Sequence, residues 1–79
     1  MSINEYYTTS DFCLASTLVS LRFTVSSLDK SNPKRIGFNF QDSEELQKTI
    51  SDFWAKKLLV SPFDFYYAQR QLKTLMYQN

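Results

Sequence analysis

The 79 residues leave room for one small domain, spanning 1–79, and for no second one. With no histidine and a single cysteine, the chain alone assembles neither a conventional zinc site nor an intramolecular disulfide, and no cofactor is implied. Nine Lys plus Arg against eight Asp plus Glu leave a net charge of +1, which excludes nucleic-acid binding through overall charge and leaves only a local patch able to do it.

Met1 to Tyr7 shows no basic segment followed by a long apolar run, so neither a signal peptide nor a membrane span is expected, and the predicted location is cytoplasmic. The first helix is predicted to open at Thr9 or Ser10, with Asp11 adding negative charge to its first turn. Phe12, Ala15, Leu18 and Val19 recur at helical spacing, Leu14 and Leu21 widen that face, and Ser16, Thr17 and Ser20 are left for solvent. Cys13, among Phe12, Leu14 and Ala15, reads as a small buried hydrophobe. The helix should end near Ser20 without a glycine terminator.

From Arg22 the period changes to two. Phe23 and Val25 alternate with Arg22, Thr24 and Ser26; Ile36, Phe38 and Phe40 alternate with Arg35, Gly37, Asn39 and Gln41. The polar Asp29-Lys30-Ser31-Asn32-Pro33 turn between them makes an antiparallel hairpin the economical reading. Leu28 breaks the alternation, as it would at a bulge or if the strand ended by Ser27.

Asp42 with Glu45 reads as a reciprocal helix cap, and the helix runs from Ser43 to about Lys56. Leu46, Ile50, Phe53 and Trp54 form its apolar stripe, and Glu44 with Lys48 and Asp52 with Lys56 are spaced as ion pairs. Leu58-Leu59-Val60 is either a third, brief strand or a buried extended segment. Ser61-Pro62-Phe63-Asp64 then restarts a helix, with Pro at its first position and Asp64 three residues after the cap. The predicted class is therefore α+β: a helix, a two-stranded antiparallel hairpin and two helices packed on one face of it.

This last helix, read over Pro62 to Gln78, carries two stripes. At about 100° per residue Phe65, Ala68, Leu72, Leu75 and Met76 form a core-facing side, while Tyr66, Arg70, Lys73 and Tyr77 form a second, narrow stripe roughly 140° away. Two readings of that stripe stand side by side. Either the tyrosines cover the rim of the core with cationic stems laid over them, or the stripe is a contact surface, since Tyr and Arg are enriched at protein interfaces.

Catalysis is not expected: the carboxylates are dispersed, Gly37 is the sole glycine so no phosphate loop can form, and no small-molecule substrate is evident. The expected role is a non-catalytic interaction module binding a protein partner or itself as a homodimer, with no membrane contact. The alternative is a small nucleic-acid-binding accessory protein in which Arg22, Lys34 and Arg35, with Lys30, supply phosphate contacts beside the Tyr/Arg/Lys stripe.

Tyr7-Thr8-Thr9-Ser10-Asp11 leading into Leu14-Ala15, then Phe38-Asn39-Phe40, Phe53-Trp54, Val60-Ser61-Pro62 and Leu72-Lys73, resemble the short bacterial, archaeal and phage proteins of domain of unknown function 5659. The resemblance covers Tyr7 to Tyr77. It implies a compact α+β domain and a mobile-element setting, and it carries no catalytic residues to transfer.

Overall fold

The computed structural model describes residues 6–78. Its elements are β1 (Tyr6–Thr9), α1 (Phe12–Ser20), β2 (Val25–Asp29), β3 (Gly37–Gln41), α2 (Glu44–Trp54) and α3 (Pro62–Met76). The three strands form one antiparallel sheet in the order β1-β3-β2. The α+β class and the Phe-rich hairpin are as expected, but the third strand is Tyr6–Thr9 and not the Leu58 to Val60 connector. That connector has no strand partner, and its Leu59 is 92% exposed.

Tyr7 lies opposite Phe40 and Thr9 opposite Phe38, so β1 turns the same two-residue alternation inward that β3 does. β2 stays in phase through an insertion: Val25 pairs with Phe40 and Ser27 with Asn39, which leaves Ser26 as a bulge. The extra residue restores Leu28 to the inner face, opposite Phe38. On the outer face the Thr8 hydroxyl donates to Asn39 Oδ1, and Asn39 Nδ2 donates to Ser27 Oγ at 3.0 Å, a polar ladder across all three strands. Gly37 is pressed between the outer strands. A Cβ there would lie 3.0 Å from the Thr8 methyl and 3.3 Å from Asp29 Cβ.

α1 is capped by Asp11, whose carboxylate accepts from Leu14 N–H at 3.0 Å, while Thr9 Oγ1 accepts from Asp11 N–H. The cap is thus one or two residues later than the sequence suggests, because Thr9 belongs to β1. α1 packs against α3 and α2 as well as the sheet side, so Leu14 to Leu18 are all buried. A helix covered on more than one side has no solvent stripe at Ser16 and Thr17, and both are buried. Cys13 is the reverse correction: it lies outside those contacts and is exposed.

α1 ends in a Schellman motif, with Phe23 N–H donating to Leu18 O and Arg22 N–H to Val19 O, both at 3.0 Å. Arg22 takes the left-handed position usually filled by glycine, at φ 82°. α2 ends the same way: Lys57 N–H donates to Asp52 O, Lys56 N–H to Phe53 O, and Lys56 sits at φ 62°. The expected start of the first hairpin strand at Arg22 is therefore corrected to Val25.

Ser43, not Asp42, caps α2 by accepting from Leu46 N–H; Asp42 instead accepts from Ser43 N–H and the Gln47 amide. Leu46 and Ile50 are buried and Phe53 half-buried. Trp54 departs from expectation at 60% exposed, at the last turn, with its ring edge-on to Phe53. Lys48 pairs with Asp52 at 3.3 Å, in place of the two pairs that spacing suggested. Ser61 precedes α3 without a side-chain cap, and Pro62 occupies the first turn as predicted. One core joins all layers: Leu14, Ala15 and Leu18 of α1, Phe38 and Phe40 of β3, Leu46 and Ile50 of α2, and Leu72 of α3.

Candidate interaction surface on the last helix

α3 divides as its sequence predicts. Ala68 and Leu72 are buried and Phe65, Leu75 and Met76 half-buried, which anchors the helix on α1 and fixes its rotation. With that face turned inward, Tyr66, Arg70, Lys73 and Tyr77 are all exposed, Tyr66 at 52% and Tyr77 at 78%. The stripe is an outer surface and not the remainder of the core. Arg70 lies over Tyr66, its guanidinium carbon 5.8 Å from the ring centre, and Tyr67 meets Tyr66 edge-on at 5.6 Å.

Phe63 belongs to the same surface and sequence reasoning missed it; it is 73% exposed. Its signal was available in the spacing. Phe63, Tyr66, Arg70, Lys73 and Tyr77 follow one another at intervals of three, four, three and four, which keeps all five on one narrow face of the helix. The only acidic residue of α3, Asp64, lies off this seam on the helical wheel.

Of the cations expected from the hairpin, Lys30 reaches the end of α3 beside Tyr77, while Arg22 and Arg35 make their contacts elsewhere. Arg22 sits at the α1–β2 connection, in a shallow groove with Phe23, Val25, Gln71 and Leu75 on the other flank of α3. Arg35 precedes β3 and donates from Nε to Ser10 Oγ at 2.7 Å, beside the start of α1. Lys30 Nζ donates to the Gln78 carbonyl at 2.8 Å, which ties the β2–β3 loop to the end of α3. Lys34 is exposed in that loop, where its backbone N–H donates to Asn32 Oδ1. At the end of β2 the Asp29 carboxyl is held below its ordinary range by hydrogen bonds from the Ser31 backbone and hydroxyl. Arg22 and Thr24 precede β2 and Arg35 precedes β3, so the outer strand face around Asn39 carries none of them.

Among the described residues, no helix is long and apolar enough to cross a membrane. The family model for the domain of unknown function DUF5659 matches residues 4–78. The chain belongs to this family. The match spans every element of the fold, so the DUF5659 domain here is the whole β-α-β-β-α-α unit, outer seam of α3 included. No curated protein and no solved structure matches it.

Proposed function

We propose that this DUF5659 domain is a non-catalytic interaction module that works by self-association through the outer face of α3. The observation that carries the reading is the exposure of Phe63, Tyr66 and Tyr77, each more than half accessible, on a helix whose opposite face is already in the core. Fully burying an aromatic side chain is worth about 1.5–3 kcal/mol, so three of them along one seam are a substantial driving force that the isolated domain leaves unused.

A second copy suits the seam because its parts complement each other: the rings of Phe63 and Tyr66 precede the cations Arg70 and Lys73 along it, Tyr77 follows them, and no carboxylate lies on it to pair them. The seam is short, about 22 Å of helix at 1.5 Å per residue, so the contact belongs among weak, reversible interfaces. A cytoplasmic setting accords with it, since Cys13 is an exposed free thiol of the kind a reducing compartment preserves.

Sedimentation velocity over roughly 10 to 500 µM tests the proposal, a range suited to weak association. A reversible monomer–dimer equilibrium that weakens in Tyr66→Ala and Tyr77→Ala, but not in Glu44→Ala on α2, is the expected result. A monomer throughout, or a dimer indifferent to both tyrosines, contradicts it.

A further inference from the structure

We infer that the two copies meet with their α3 helices antiparallel and in one register, Phe63 against Lys73 of the second copy and Tyr66 against Arg70 of the second copy. This rests on self-association through α3 and adds the geometry that makes it specific. When two antiparallel helices mesh heptad seams, first-position residues of one face fourth-position residues of the other. Here Phe63, Arg70 and Tyr77 occupy first positions, and Tyr66 and Lys73 fourth positions.

Two registers overlap enough of the seam to matter. In one, Tyr66 faces Tyr77 and Arg70 faces Lys73, which by the twofold axis sets two cation pairs against each other with no acid nearby. In the other, every overlapping layer pairs a ring with a cation: Phe63 with Lys73, Tyr66 with Arg70, and the same two pairs again across the axis. That register also carries Tyr77 past the end of the facing helix, toward the connector bearing Leu59, the most exposed large hydrophobic among the described residues.

The single chain already shows the favoured contact, since Arg70 lies 5.8 Å over the Tyr66 ring. The neighbouring helix positions add no charge against it: Gln69, Tyr67 and Thr74 flank the seam. Like-charge exclusion therefore selects the register, and ring–cation contact fills it.

Disulfide trapping tests this directly, in a Cys13→Ser background because Cys13 is exposed. Chains carrying Phe63→Cys are mixed with size-tagged chains carrying Lys73→Cys and oxidised mildly at a concentration where the wild type is dimeric. A parallel mixture uses Tyr66→Cys and Tyr77→Cys. All four positions are exposed, so the variants keep the fold, which far-ultraviolet circular dichroism verifies.

The expected result is a mixed dimer from the first pair several-fold more abundant than from the second, or than from any variant oxidised alone. Preferential trapping of the second pair, or of single variants with themselves, overturns the register while a dimeric wild type leaves self-association standing. A wild type that sediments as a monomer overturns both.

Discussion

Arg70 covers the ring of Tyr66 one turn earlier on α3, with 5.8 Å between the guanidinium carbon and the ring centre. Both side chains are exposed, and a cation–ring contact at an exposed site is worth only about 0.5–1 kcal/mol. The pair therefore does little for the monomer, and under the proposed self-association it lies open to the second copy. Arg70→Glu is expected to leave thermal stability within about 1 kcal/mol of the wild type, as surface substitutions do. The same variant should reduce dimerisation at least tenfold, because it sets a carboxylate against the electron-rich face of Tyr66. Calorimetry and sedimentation on one sample separate the two effects.

Salt distinguishes this contact from a phosphate contact. A dimer seam holding Arg70 and Lys73 from both copies and no acid is self-repulsive at long range, and raising NaCl from about 0.05 to 0.5 M shortens the screening length several-fold. Dimerisation is expected to be unchanged or strengthened over that range. Binding to a nucleic acid through the same cations would weaken steeply, and fluorescence anisotropy with labelled single- and double-stranded DNA across the same series measures it.

Ser16 lies in the middle of α1, fully buried, with no hydrogen-bond partner for its hydroxyl. An unpaired buried polar group costs about 1–3 kcal/mol, and alanine is also the better helix former. Ser16→Ala is expected to stabilise the domain by about 1 kcal/mol, raising Tm by roughly 4–8 °C at this chain length. An unchanged or lowered Tm would show that the small hydroxyl is accommodated in α1 at no cost.

The left-handed turn that closes α2 is occupied by Lys56 at φ 62°, a conformation that costs an L-residue with a side chain about 1–2 kcal/mol. Glycine there removes the strain and gives back part of the gain through its freer unfolded chain. Lys56→Gly should raise stability by about 0.5–1 kcal/mol, read as a shift in the denaturation midpoint at constant slope. Lys56 is exposed and off the α3 seam, so dimerisation should not change.

The parts of the fold set by local chemistry could be read in the chain. Pro62 opened α3, Phe38 and Phe40 placed β3 inward, and Leu28 signalled the bulge that the structure puts at Ser26. What could not be read depended on neighbours distant in sequence. β1 is four residues long and gains its alternation by pairing with β3, and Ser16 and Thr17 are buried because α1 packs against α3, α2 and β1 at once. Trp54 looked like core because it follows Ile50 by four residues, but α2 ends there and leaves it in solvent. On α3 the tyrosine and cation stripe is legible from spacing, and Phe63 extends it into the first turn, where the residues around Pro62 read only as a helix start.

The β2 edge is a competing surface for self-association, since among the described residues one side of Val25 to Asp29 has no strand partner. Amide and aromatic chemical shifts followed during dilution from about 500 to 20 µM decide between the two faces of the molecule, as these concentrations bracket a weak equilibrium. The shifts that move should belong to Phe63, Tyr66, Arg70, Lys73 and Tyr77, while those of Val25 and Leu28 stay fixed. Movement concentrated along β2, or no movement at any concentration, would contradict it.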